Sequence, residues 1–132
     1  MTAATWADEA AQSGDGPARL AVRLAELRLR FLDTIELRLA ELGAWCDLLG
    51  SPEADAIDRR AGLDGIRYGA HKTLGLAATL GYESLGAAAG RVELALDGHL
   101  RGGPEAPALP DLLTLTELML DEMARALTEA GR

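Results

Sequence analysis

The chain has 132 residues, a length typical of one domain that buries its own hydrophobic core. Leucine and alanine are abundant and aromatic residues make up only 4%, which favours helix over sheet. The formal net charge of −8 argues against nucleic acid or an anionic membrane as a partner. The sequence shows neither a signal peptide nor an apolar run of about 18 residues, and this predicts a cytoplasmic protein without a membrane span.

Residues 1–16 are rich in alanine, serine, glycine and acidic residues, and they predict a flexible or frayed N-terminal segment. Its one large side chain, Trp6, either pins the segment to the rest of the chain or belongs to a mobile tail. Pro17 marks the start of one long amphipathic helix, or of two nearly collinear ones, and Gly50 marks the end. Apolar residues recur there every three or four positions, at Leu20, Leu24, Leu27, Phe31, Ile35, Leu39, Leu42, Trp45 and Leu49.

The middle of the chain predicts one or two further helices. Ser51, followed by proline, is a helix start signal, and Gly62 and Gly65 either bend this helix or lie where it merges into the next. Residues 68–85 carry apolar residues at helical spacing and no proline, so we expect a helix there, with a stop or a kink at Gly81.

Two more helices complete the pattern. One is predicted from Glu83 to Leu100, and its two glycines, Gly86 and Gly90, permit close packing against a neighbour. Residues 101–107 are the clearest loop, and the last helix begins near Pro110. We therefore expect residues 17–132 to form an all-α antiparallel four-helix bundle, with the short N-terminal segment added to it.

His71 lies on the polar side of the predicted 68–85 helix. At 100° per residue, the opposite face holds the expected core residues Ile66, Thr73, Leu76 and Leu80. Within about 40° of the His71 direction lie Arg60, Asp64, Arg67, Gly75, Ala78 and Tyr82. An exposed histidine with a glycine one turn later leaves room for a large partner to approach the imidazole.

The pattern formed by His71, Gly75, Ala77, Gly81 and Leu85 resembles the signature of histidine-containing phosphotransfer (HPt) domains. The resemblance covers about residues 20–127, and Val92-Glu93 falls where that family often has Leu-Glu. It implies a four-helix bundle that carries a phosphoryl group on one histidine in a bacterial phosphorelay. The implied partners are a response-regulator receiver domain, a hybrid histidine kinase, or both. The Mg²⁺ ion would belong to the receiver, so no cofactor of the chain's own is expected.

Phosphoryl transfer needs a nucleophile and positive charge around the moving oxygens. A neutral imidazole is a competent nucleophile near pH 7, and Arg67 and Lys72 are the nearest cations. The segment 57–82 has a net charge of +2, which predicts a basic patch around His71. The family commonly has lysine where Leu74 stands here. We therefore expect Arg67 to neutralise the phosphate, with Lys72 in reserve.

The remaining residues on this face are candidates for partner docking: Gly75, Leu74, Ala78, Asp64 and Tyr82. No nucleotide-binding motif is present, which predicts a phosphoryl carrier rather than a kinase. We also expect a monomer. No carboxylate or cysteine stands at a repeated ligand spacing from either histidine, so no metal site is expected. His99 is expected to be structural or neutral, and Cys46 to be a small buried hydrophobe.

Other assignments remain open at this point. The chain is alternatively an interaction module that binds a receiver without phosphorylation, an idea motivated by the leucine at Leu74. It is also compatible with the phosphoacceptor piece of a chemotaxis-type kinase, in which case it is a fragment. A plain helical scaffold or dimerisation bundle is the least specific alternative.

Overall fold

The structure is a computed structural model that describes residues 16–132. These residues form four helices, which are α1 (Gly16–Gly50), α2 (Ala56–Ala77), α3 (Glu83–Arg101) and α4 (Leu109–Glu129). No strand occurs in this range. The prediction of an all-α four-helix bundle is confirmed. The predictions made for the segment before Gly16, including the position of Trp6, lie outside the described residues.

The helices pack in a ring, in which α1 contacts α2, α2 contacts α3, α3 contacts α4 and α4 returns to α1. The connections span only residues 51–55, 78–82 and 102–108, and such short loops make successive helices antiparallel. The largest fully buried apolar side chains come from all four helices: Ile35, Leu42, Ile66, Leu85, Val92, Leu96, Met119 and Met123. None of the four helices is both long and apolar enough to cross a membrane.

α1 is one helix of 35 residues and is longer than any of its neighbours. At 1.5 Å per residue it is about 52 Å long, whereas the 22 residues of α2 span about 33 Å. The predicted inward stripe is confirmed from Phe31 to Leu49, which are both buried. Leu20 is 60% exposed instead, because α1 extends past the turn between α2 and α3. Arg28 marks the end of the bundle, since its Nε donates to the Leu80 carbonyl of that turn at 3.0 Å.

α2 begins later than the serine-proline signal predicts. Asp55 is the N-cap, and its carboxylate accepts a hydrogen bond from the Asp58 backbone N–H at 2.7 Å. The Asp58 carboxylate accepts in return from the Asp55 N–H at 3.4 Å, so two backbone donors are satisfied reciprocally. The helix then continues through Gly62 and Gly65 to the histidine region, so the merged alternative is the one the structure shows.

Three glycines of α2 make its close contact with α1. A Cβ atom added at any of them would fall 2.9 Å or less from a side chain of α1, which is closer than real Cβ atoms come. The opposing pairs are Gly62 with Leu49, Gly65 with Trp45 and Gly69 with Leu42. Spacings of three and four place these glycines on one face of α2. Their missing side chains let the leucines and the indole of α1 lie against the α2 backbone.

A buried polar contact extends the same interface. Thr73 is fully buried, and its hydroxyl accepts a hydrogen bond from Arg38 Nη1 at 3.0 Å while donating to the Gly69 carbonyl at 2.8 Å. Arg38 is half-buried, and burial lowers the pKa of its guanidinium. The contact satisfies the hydroxyl that the core encloses.

The end of α2 corrects the helix predicted over residues 68–85. α2 stops at Ala77, and Gly81 has a φ of +92°, a conformation that L side chains rarely adopt. The stop at Gly81 is thus correct, and continuous helix beyond it is wrong. Tyr82 leaves the His71 face and stacks on Phe31, with ring centroids 5.2 Å apart. Leu76, expected in the core, is 52% exposed.

The predicted bounds of α3 and the predicted start of α4 are confirmed to within one residue. α3 buries Leu85, Val92 and Leu96 as expected, and α4 begins at Leu109 with Pro110 in its first turn. The loop predicted at 101–107 is observed at 102–108.

The α1–α2 contact can be tested with one added methyl group. Gly65→Ala would force its Cβ against the Trp45 ring, and overpacking of this kind costs about 1–3 kcal/mol, which exceeds the gain in helix propensity of about 1 kcal/mol. We expect a lower midpoint of urea unfolding. Gly43→Ala in α1 is the matched control, because a Cβ there meets nothing within 4 Å. It should be neutral or stabilising. Equal effects of the two substitutions would contradict the close packing described here.

Candidate functional site

The side chain of His71 is 69% exposed, as predicted. Its Nδ1 lies 2.8 Å from Oε1 of Glu93 on α3. An ionised carboxylate only accepts hydrogen bonds, so Nδ1 is the protonated ring nitrogen in this contact. Nε2 is then the nitrogen with a free lone pair, and no side chain within residues 16–132 forms a hydrogen bond to it. The imidazole is therefore held by one nitrogen and available at the other.

Two polar contacts join α2 and α3 at a regular spacing, and the contact between His71 and Glu93 is one of them. One turn earlier on α2 and one turn later on α3, Arg67 Nη2 lies 2.7 Å from Asp97 Oδ1. That oxygen receives no aligned hydrogen bond, so the contact is an ion pair held by charge alone. Equal steps in opposite directions are the register of antiparallel helices.

The neighbouring contacts between α2 and α3 are apolar. A Cβ at Gly90 would lie 3.7 Å from Leu74 Cδ1, and one at Gly86 would lie 3.7 Å from Ala78 Cβ. The predicted packing role of the two α3 glycines is supported, because small residues there let α3 approach α2. Leu74 is 36% exposed and partly packed on Gly90, so it does not project freely toward a partner. Whether Leu74 and Ala78 contact a partner remains a prediction.

Gly75 lies in open space, since a Cβ built on it meets nothing within 4 Å. The surface one turn beyond His71 is thus as unobstructed as the sequence predicts. On the other side of the imidazole is a shallow cavity lined by Asp64, Arg67, Tyr68, His71 and Glu93. The structure therefore brings Asp64 and Arg67 to the histidine, and it moves Tyr82 away from it.

Two residues of this cavity were not predicted as site residues. Tyr68 precedes His71 by three residues, so helical spacing alone places it nearby. Glu93 lies 22 residues after His71, and the only sequence signal for it was the Val92-Glu93 match to the HPt pattern. Nothing in local periodicity shows which residue of another helix will face the histidine.

Each charged side chain around His71 has a partner, and this corrects the predicted basic patch. Arg60 pairs with Asp64 at 3.2 Å, and the Lys72 ammonium lies 5.6 Å from the centre of the Tyr68 ring. The two acids contributed by α3, at positions 93 and 97, offset the +2 of segment 57–82. The assembled surface is close to neutral.

His99 and Cys46 have structural surroundings. His99 Nδ1 donates to the Pro107 carbonyl at 2.7 Å and ties the end of α3 to the following loop. Burial, with smaller contributions from Glu117 and Asp47, raises the pKa of Cys46 to about 11, so its thiolate is scarce at neutral pH. Between residues 16 and 132, no three side chains of the metal-binding types converge.

The chain matches no protein-family model, no curated protein and no solved structure. Its function is therefore to be inferred from the side chains around His71. An exposed imidazole whose Nδ1 is held by a carboxylate is suited to react at Nε2, because the carboxylate fixes both the ring orientation and the tautomer.

Proposed function

We propose that this chain is a histidine phosphotransfer protein of a two-component phosphorelay. It receives a phosphoryl group on Nε2 of His71 from a receiver-domain aspartate or a histidine kinase and passes it to another receiver. The observation that carries the proposal is the orientation of an exposed ring, with Nδ1 at 2.8 Å from Glu93 and Nε2 left for attack. The HPt-like sequence pattern around His71 supports it.

The chemistry assigns a role to Glu93. When Nε2 attacks an aspartyl phosphate, a P–N bond forms, the P–O bond breaks, and the electron pair leaves on the aspartate carboxylate. The imidazole ring gains positive charge in this step. The Glu93 carboxylate accepts the Nδ1–H bond and stabilises that charge, much as a carboxylate orients the catalytic histidine of serine proteases. Glu93 is accordingly a positioning residue, and Mg²⁺ and the acidic residues that bind it come from the receiver.

Arg67 is the cation that lines the His71 cavity, and we assign it to the phosphoryl oxygens. Its present partner is Asp97, and both side chains are partly exposed. An exposed ion pair contributes about 0–1 kcal/mol, whereas a hydrogen bond from a charged donor contributes about 1.5–3 kcal/mol. Exchange of Asp97 for a phosphoryl group would replace this ion pair by charged hydrogen bonds. Lys72 lies over Tyr68, outside the cavity lining, and is the second choice.

A second candidate function is an interaction module that binds a receiver without phosphorylation. It is favoured by the paired state of every charged group near His71, since the contact with Glu93 also serves as a polar link between α2 and α3. In that case His71 contributes to the helix interface and to docking but carries no phosphoryl group.

The acceptor is tested by labelling with phosphoramidate and with phosphorylated receiver domains. We expect an acid-labile label on the intact chain and none on His71→Gln, because that side chain has no nucleophilic nitrogen. His99→Gln is the matched control and should keep the full label. Label that persists in His71→Gln overturns the assignment. Receiver binding by an intact chain that never takes label identifies the interaction module instead.

Docking beside the histidine is tested with Gly75→Leu. A leucine there should fold normally, since the position is open, yet should obstruct a protein surface that approaches His71. We expect transfer from a receiver to slow by at least about tenfold, which is 1.4 kcal/mol, while labelling by phosphoramidate is unchanged because that donor is small. Gly43→Leu on α1 controls for the glycine replacement. Unchanged transfer in Gly75→Leu would show that partners do not approach over this position.

The cation is tested by comparing Arg67→Ala, Lys72→Ala and Asp97→Asn. Arg67→Ala should slow transfer by about 10–100-fold, in line with the loss of a charged hydrogen bond. Asp97→Asn should not slow transfer, since it releases Arg67 from its ion pair. Circular dichroism should show the same helix content in all three. A silent Arg67→Ala together with an inactive Lys72→Ala would assign the task to the lysine.

A further inference from the structure

The Glu93 carboxylate lies at the ring nitrogen of His71 that a phosphoryl group on Nε2 leaves unoccupied. Its Oε1 is 2.8 Å from Nδ1, and the Glu93 side chain is only 22% exposed. The carboxylate comes from α3, which approaches α2 closely at Gly86 and Gly90 whatever is bound to the imidazole. The contact between Nδ1 and Glu93 therefore does not have to break when His71 carries a phosphoryl group.

The other charged groups around the imidazole leave Glu93 to its contact with Nδ1. They lie on the same two helices, and they are Arg60, Asp64, Arg67, Tyr68 and Lys72 on α2 and Asp97 on α3. Four of these six side chains form two ion pairs, at 3.2 Å within α2 and at 2.7 Å between α2 and α3. α1 packs against the opposite face of α2, where Arg38 bonds to Thr73. Within residues 16–132, Glu93 forms a hydrogen bond or ion pair with no side chain other than His71.

The proton on Nδ1 determines how readily the P–N bond of a phosphorylated His71 breaks. When the phosphoryl group moves to an acceptor oxygen, a P–O bond forms, and the electron pair of the P–N bond returns to Nε2. If Nδ1 carries a proton, the ring leaves as a neutral imidazole, in the tautomer that the contact with Glu93 requires. If Nδ1 has a lone pair instead, the ring would leave as an imidazolate anion, which is a much poorer leaving group, unless Nδ1 first takes a proton from water.

We infer, on the basis of the proposed function, that Glu93 keeps Nδ1 of phosphorylated His71 protonated throughout the neutral pH range. A carboxylate only accepts hydrogen bonds, so loss of the proton would place a lone pair 2.8 Å from its oxygen. The negative charge of Glu93 also attracts the positively charged ring, and partial burial strengthens this attraction. The phosphoryl group then enters and leaves His71 with no proton taken up or released. A free imidazole, in contrast, loses its charge at about pH 6.5, so without Glu93 the transfer would need a proton above that pH.

The inference is tested by the pH dependence of phosphoryl loss from the isolated full-length chain. The chain is labelled with phosphoramidate, the donor is removed, and the loss of label to water is followed from about pH 6 to about pH 8.5. We expect the rate constant of the intact chain to vary by less than about twofold, because the protonated fraction stays constant. In Glu93→Gln it should fall by up to about tenfold per pH unit above pH 7, since an amide can donate to a lone pair on Nδ1.

Glu122→Gln is the matched control for removal of a carboxylate. The Glu122 side chain is also 22% exposed and forms an ion pair, but it lies on α4 and pairs with Arg125. Its pH profile should be that of the intact chain. A Glu93→Gln profile as flat as that of the intact chain overturns the inference and leaves His71 as the acceptor. A chain that takes no label on His71 overturns the proposed function, and the inference with it.

A spectroscopic measurement keeps the test valid if Glu93→Gln does not fold. The intact chain is prepared with isotope-labelled histidine, and because it contains two histidines, His99→Gln assigns the ring signals. After phosphorylation, we expect the nitrogen spectrum to show a proton bound to Nδ1 of His71 up to about pH 8. A lone pair on Nδ1 at neutral pH overturns the inference.

Discussion

The contact between the glycine face of α2 and the large side chains of α1 determines the rotation of α2 in the bundle. Because Gly65 and Gly69 have no Cβ, Trp45 and Leu42 lie against the α2 backbone. With that face turned to α1, the core residues of α2 point inward and His71 is turned outward, beside α3. The exposure of the histidine thus follows from close packing on the other side of its helix.

α3 completes the site because it also approaches α2 through small residues. Gly86 and Gly90 bring the helices close enough for Glu93 to reach the imidazole. The two polar contacts between α2 and α3 contribute little to the free energy of unfolding, since exposed pairs of this kind contribute about 0–1 kcal/mol each. Buried leucine and methionine side chains contribute about 1.5–3 kcal/mol each and hold the bundle together. The side chains around His71 can therefore exchange partners without endangering the fold.

The buried core stabilises the bundle and the polar contacts around His71 contribute little, and this matters for both candidate functions. A phosphoryl carrier needs a rigid helix under its histidine and mobile charges around it, and α2 combines a packed inner face with exposed ion pairs. An interaction module needs only the rigid face. The two differ at a single atom, Nε2 of His71, which a docking surface does not require and a phosphoryl acceptor does.

The 3.6-residue period and residue size predict most of the helical residues, the outward direction of His71 and the open position at Gly75. The predicted choice between a stop and a kink at Gly81 depends on tertiary packing, which also sends Tyr82 to Phe31 and places Leu74 against Gly90. The same packing brings Glu93 to the imidazole and pairs Asp97 with Arg67. These contacts join residues far apart in the chain. Their existence depends on how closely two helices approach and in what register, which is set by packing across the whole interface and leaves no local periodic signal.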